Sequence, residues 1–189
     1  MSLRTLEVPA ALGLHSVQAM QAALERAVAD GGICGLLLAG GKQPANGQKV
    51  FCAGLDLEQV IRGADAGALA DALAKLLLAL RLAPVPTAAV VTGEAKGGGV
   101  GLAAACDVVI AAEDAEFALP ELLFGLTPAI ILPLLLARVA PQRLRLRALA
   151  GGAWPAAAAL ADGLVDRVAA CDEVDAVARA ALGALRRPR

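Results

Sequence analysis

The segment ICGLLLAGG, residues 33 to 41, is a continuous apolar run closed by glycines. Such a run suits a strand buried on both faces, which requires a parallel sheet covered on each side. TAAVVTG, CDVVIAAED and AEFALP read as further strands, residues 4 to 9 as a short one, and KVFCAGLDL as one that breaks at Gly54. KQPANGQ, residues 42 to 48, reads as a polar loop. Between the strands lie segments of helical period. In residues 15 to 29, Val17, Met20, Leu24 and Val28 recur at spacings of three and four before Asp30-Gly31-Gly32 ends the pattern. A second helical pattern fills residues 57 to 82, with an interruption near Gly63 to Gly67, and Pro84 and Pro86 stop it. VGLAAA reads as a short helix, and the remainder beyond Pro120 as helix punctuated by prolines and glycines. Strands alternating with helices predict an α/β fold. No linker composition divides the chain, so residues 1–189 are expected to form one domain.

Several functions are disfavoured by composition. A net charge of -1 leaves no basic footprint for nucleic acid, and Phe51, Phe117, Phe124 and Trp154 are too few to stack bases. Mean hydropathy is high, yet the longest uncharged stretch, Leu122 to Ala137, has 16 residues and contains Pro128 and Pro133. A spanning helix needs about 20. No basic segment followed by an apolar one opens the chain, so the expected location is cytoplasmic. The surplus apolar surface is expected to face another subunit. Four cysteines without CxxC spacing and a single histidine, His15, predict neither a disulfide framework nor a metal site.

The stretch TGEAKGGGVGLAAACD, residues 92 to 107, sets three glycines between a strand and a helix. That order aims unpaired amides and the positive end of a helix dipole at one point. The stretch lacks the Lys-Ser/Thr of a P-loop, and its glycine spacing is not a dinucleotide fingerprint. Close packing of helix on strand explains the triplet as well as a ligand does. A second segment, FCAGLD at 51 to 56, is another strand ending in a glycine turn. Two such turns could each direct one N–H at the same oxygen, the arrangement that stabilises an enolate beside a thioester.

FCAGLDL, GEAKGGGVGLAAACDVVIAAEDAEFALPELLFGLTP and ALADGLVDRV together resemble the enoyl-CoA hydratase/isomerase (crotonase) superfamily. The resemblance implies an α/β spiral of strand-strand-helix turns, with a core over about residues 1–140 and a shortened helical C-terminal part over about 141–189. It implies a homotrimer or hexamer, whose further C-terminal helices in relatives complete the trimer and cover the acyl pocket. It implies an oxyanion hole from the N–H groups of Leu55 and Gly98, with Gly97 and Gly99 admitting substrate to the backbone. Ala53, Gly54, Leu57 and Pro128 would line the substrate groove. The substrate would be an acyl thioester of CoA or of acyl carrier protein, with no cofactor beyond that carrier and no metal.

The same resemblance implies carboxylates at two positions. One falls on Gly101, which can do no acid–base chemistry; the other falls on Glu121, in the pair Pro120-Glu121. Leu119, Leu122, Leu123 and Phe124 flank Glu121, and desolvation by them would raise its pKa toward working pH. One carboxylate suffices to move a proton from C2 to C4, or to hand it to a departing hydroxyl. PELLFGLTPAIILPLLLARV is similar to the superfamily branch that dehydrates acyl groups on carrier proteins in polyketide β-branching. Glu58 falls where relatives carry a base for a CoA phosphate, which favours a carrier protein. Lys96 could attract a substrate carboxylate or reach solvent. Arg138, Arg143, Arg145 and Arg147 could meet phosphates or an acidic carrier, or be solvated surface. Asp107 and Asp114 are expected to bond backbone at strand ends, and Trp154 to pack.

Overall fold

The computed structural model describes residues 2–40, 49–63 and 65–185; the loop expected at 42 to 48 lies outside them. The chain runs β1 (Ser2–Val8), α1 (Leu14–Ala29), β2 (Ile33–Gly40), β3 (Val50–Cys52), α2 (Leu57–Ile61), α3 (Ala66–Arg81), β4 (Thr87–Val91) and β5 (Glu94–Lys96). It continues through α4 (Gly98–Ala105), β6 (Val108–Ala112), β7 (Glu116–Ala118) and a 3-10 turn at Glu121–Phe124. α5 (Leu132–Leu136), α6 (Pro141–Ala150), β8 (Trp154–Pro155), α7 (Ala156–Asp162), β9 (Arg167–Ala169) and α8 (Val174–Ala184) complete it.

The strands form two sheets. β1-β2-β4-β6-β9 is parallel throughout. β3-β5-β7 is also parallel, and β8 closes its edge antiparallel to β7. Successive strands β2/β3, β4/β5 and β6/β7 each place one member in either sheet before the chain enters a helix. This is the expected spiral of ββα turns. The five residues of β4 are all buried, as a continuous apolar run demands. On one face of the large sheet, Leu37, Ala88, Val90 and Ile110 pack against Val174, Ala178 and Leu182 of α8. On the other, the main core joins α1, α3, α4 and the small sheet.

The helices follow their sequence signals. Asp65 caps α3, its carboxylate accepting from the Ala68 amide at 3.0 Å, and so restarts the helix after Gly63. The stretch expected to be wholly helical after Pro120 also returns β8 and β9, one strand to each sheet. Glu94–Lys96, expected only as approach to the glycines, is strand β5, and α4 begins at Gly98 rather than Val100. Asp107 accepts from the Thr87 amide and hydroxyl at 2.8 and 3.1 Å, bonding a strand end as expected. Asp114 instead pairs with the Lys49 ammonium at 3.2 Å.

Arg138 is a correction to the basic-segment reading. Its guanidinium donates to the Cys106 and Asp107 carbonyls, each at 2.9 Å, and to Asp166 at 2.9 Å. It thereby ties the C-terminal end of α4 to the turn entering β9. Arg147 donates to Asp162 and lies 5.3 Å from the Trp154 ring centroid, which itself meets Phe117 edge-on. Arg143 stands 3.8 Å from the same Asp162. Three of the four arginines therefore serve the fold. No helix among the described residues is long and apolar enough to cross a membrane.

Candidate active site

The site begins where β3 and β5 end side by side. Gly54 has φ +87°, and a Cβ there would lie 2.7 Å from the Lys96 carbonyl oxygen and 3.4 Å from the Gly98 nitrogen. The two glycine turns are in direct contact, and only a residue without a side chain permits both the contact and the backbone angle. Across the turn, Leu12 forms an isolated parallel bridge with Leu55. Its bonds use the neighbours: the Leu12 amide donates to the Gly54 carbonyl at 2.8 Å, and the Asp56 amide donates to Leu12 at 3.0 Å. Because backbone groups alternate in direction along extended chain, the Leu55 N–H is turned away from Leu12.

Gly97 caps α4 with φ +48°, and its amide donates to the Ala118 carbonyl at 3.0 Å. Gly98 is the first residue of the helix, where the amide has no intrahelical acceptor. Among the described residues neither the Leu55 N–H nor the Gly98 N–H has an acceptor. Both residues line a single cavity of about 670 Å³. Two unspent main-chain donors on one cavity, one at the positive end of a helix, are equipped to hold negative charge on an oxygen.

Glu121 reaches the same place from the other wall. A Cβ on Gly97 would lie 3.0 Å from its Oε1, so the carboxylate rests on the glycine turn. Its Oε2 is buried and has no hydrogen-bond partner among the described residues. Burial raises its pKa above the usual carboxylate value, with a bond to its own backbone opposing in part. A half-buried, underbonded carboxylate with a raised pKa is suited to exchanging a proton.

Ala53, Gly54, Leu55, Gly97, Gly98, Glu121 and Pro128 thus line one cavity, as do Glu94, Lys96 and Glu116 along β5 and β7. Lys96 is partly exposed, and its ammonium lies 2.7 Å from Glu94. Gly99 is not among the cavity-lining residues: a Cβ there would collide with the Cys52 carbonyl, so its small size seats α4 on β3 rather than admitting substrate. Leu57 opens α2. Cys52 is fully buried, and burial pushes its thiol up to about 11, which leaves it inert. Glu58 pairs with Arg62 one turn along α2, so its charge is partly offset. Ile131, which also lines the cavity, was absent from the sequence reading.

Residues 1–188 match the family model described as enoyl-CoA hydratase/isomerase. The chain belongs to the enoyl-CoA hydratase/isomerase family. The bacillaene synthase dehydratase PksH of Bacillus subtilis is 37% identical over 99 residues, covering 50% of this chain and 38% of that protein. A probable enoyl-CoA hydratase of Mycobacterium avium is 36% identical over 147 residues, covering 76% and 57%. The crystal structure of an enoyl-CoA hydratase/isomerase family protein from Silicibacter pomeroyi superposes with TM-score 0.84 at 28% identity, covering 96% of this chain and 81% of that one. The chain spans about half the length of curated relatives such as these two. Family membership accounts for the spiral of ββα turns.

Proposed function

We propose that this chain acts on an acyl thioester through an enolate, with Glu121 as the proton carrier and the Leu55 and Gly98 amides as the oxyanion hole. The observation that carries the reading is the meeting of an unpartnered carboxylate with two unspent amides on one cavity. Glu121 takes the proton from C2, and the C–H electron pair becomes the enolate double bond, with charge on the thioester oxygen. The protonated Glu121 then gives that proton to the 3-hydroxyl. The C3–O bond breaks, water departs, and the enolate pair forms the C2–C3 double bond. The reverse sequence is hydration.

The dehydratase function printed for the Bacillus subtilis relative supports this direction. The substrate carrier is CoA or the phosphopantetheine of an acyl carrier protein. With Arg62 beside Glu58, the repulsion of a CoA phosphate is smaller than the sequence suggests. A homotrimer or hexamer in the cytoplasm is the assembly and location that accord with this reading. The exposed Leu122 and Leu123, which do not line the cavity, supply apolar surface for it.

A second reading is double-bond migration, in which Glu121 returns the proton to C4 of a dienolate. It is favoured by Gly101, whose place offers no second carboxylate to hold water. Both readings share the first step, so deuterium exchange at C2 of CoA and carrier-protein thioesters tests them together. Glu121→Gln is expected to lower exchange by about 10²–10⁴, the usual contribution of a placed acid–base group. Wild-type protein that exchanges neither kind of thioester would leave only a binding role.

A further inference from the structure

Gly101 and Ile131 interlock. Gly101 is buried in α4, and a Cβ on it would run into the Cγ2 of Ile131 and come within 2.9 Å of its Cβ. Ile131 is only 3% exposed and is held from both sides. Its amide donates to Pro128 at 3.2 Å, while its carbonyl accepts from Leu134 and Leu135 at the start of α5. The space into which a side chain at 101 would project is therefore filled by a branched hydrocarbon that also lines the cavity.

The position of that hydrocarbon matters because of helical geometry. The Gly101 amide donates to the carbonyl of the cap residue Gly97 at 3.1 Å, so the two lie one helical turn apart, about 6 Å along the axis. Glu121 rests against the first and Ile131 against the second. Ile131 thus presents hydrocarbon to the cavity about one helical turn from the glycine on which Glu121 rests.

We propose that Ile131 is the specificity-determining residue of this site, setting how a proton carried by Glu121 is shared between carbon and water chemistry. This rests on the reading of Glu121 as proton carrier on an acyl thioester. An aliphatic wall at this place offers water no polar contact, while exchange at carbon needs none beyond Glu121 and the oxyanion amides. A polar group at 131 would raise water addition relative to exchange at C2.

The test compares Ile131→Thr with Ile131→Val, which match closely in shape and differ in a hydroxyl for a methyl. Two rates are measured for each: C2 deuterium exchange of butyryl thioesters and loss of enoyl absorbance from crotonyl thioesters, on CoA and on pantetheine. The ratio of hydration to exchange is expected to be about tenfold higher for Thr than for Val, a decade below the lower end of what a placed acid–base group contributes. A second pair probes the interlock. Gly101→Glu alone is expected to lose both activities, because the new side chain must displace Ile131. Gly101→Glu with Ile131→Gly is expected to recover exchange and to exceed wild type in hydration. Equal ratios for Thr and Val, or a Gly101→Glu protein that hydrates as well as the double variant, would overturn the proposal while leaving wild-type exchange, and the role of Glu121, intact. Wild-type protein without exchange on any of these thioesters would overturn both.

Discussion

The two walls of the cavity are built on opposite principles. On the glycine wall, backbone packs on backbone: Gly54 touches Lys96 and Gly98, Gly99 sits on Cys52, and every residue of α4 is buried. In the proposed mechanism its chemistry resides in amides whose positions no rotamer can change. On the acid wall, a four-residue 3-10 turn carries Glu121, and the side chains after it, Leu123 at 70% and Phe124 at 61%, are largely exposed. Stabilising an oxyanion demands fixed donors, because removing one costs about 10²–10³ in rate. Choosing a substrate and moving a proton tolerate, and use, side chains that can vary. The division of labour places precision where packing is tightest.

The sharpest way to break this contrast is to disturb the contact of the glycine turns. Gly54→Val combines a left-handed backbone angle with a collision against the Lys96 carbonyl. Strain of about 1–3 kcal/mol and overpacking of about 1–3 kcal/mol predict a loss of about 2–6 kcal/mol in urea unfolding. A variant with wild-type stability and full C2 exchange would show that the turns are looser than the contact implies.

Arg138 supports the glycine wall from the far end of α4, and a smaller effect is expected there. Arg138→Met keeps the length of the chain but removes the guanidinium that donates to the Cys106 and Asp107 carbonyls. About 2–3 kcal/mol of destabilisation follows from losing hydrogen bonds made by a charged donor. Asp166 is partly exposed, so water offsets its loss. Near-neutral stability would show that the clamp is not needed to seat the helix.

The parts that sequence conveyed and the parts that it did not differ for physical reasons. β2, β4 and β6 were visible because burial on both faces writes an uninterrupted apolar run, and α1 and α3 because one buried face writes a helical period. β5, β8 and β9 have two or three residues, too few to show any period. α4 opens on glycines, which disfavour helix; packing against β3 and β5 overrides that preference, and propensity could not report it. At the site, Gly54, Leu55, Gly97, Gly98 and Glu121 could be named because the family resemblance rests on the short motifs that contain them. Ile131 and the role of Arg138 could not, since their meaning lies in Gly101 and in the end of α4, some thirty residues away. Gly99 was assigned to the substrate because a triplet does not reveal which of its members faces the cavity.

On the acid wall, Glu121→Gln should sharpen the contrast by stabilising the protein while removing its proton carrier. The folded-state pKa of Glu121 is raised, so its contribution to stability is fully present below the ordinary carboxylate value and is lost as pH rises through the folded value. Removing the titration should therefore raise the melting temperature at neutral pH, with the gain shrinking as pH falls toward 4. C2 exchange should rise with pH through the same raised value, because the ionised form is the base. A Gln variant less stable than wild type at neutral pH would mean that the carboxylate is held by favourable bonds in the folded protein.

The smallest effect on the fold is expected at Phe124, where stability and binding should part company. Its ring is mostly exposed yet lines the cavity, so Phe124→Ser removes little area that folding buries. Exposed substitutions of this kind usually fall within about 0.5 kcal/mol. An acyl chain in the cavity, by contrast, would cover the ring, and losing that apolar contact should raise KM for longer acyl groups more than it lowers kcat. A large loss of stability would place Phe124 in the core and make the acid wall as rigid as its neighbour. An unchanged KM across acyl lengths would mean that the chain leaves the cavity by another side, along the Glu94–Lys96 pair, where a polar tail would find better company than a hydrocarbon one.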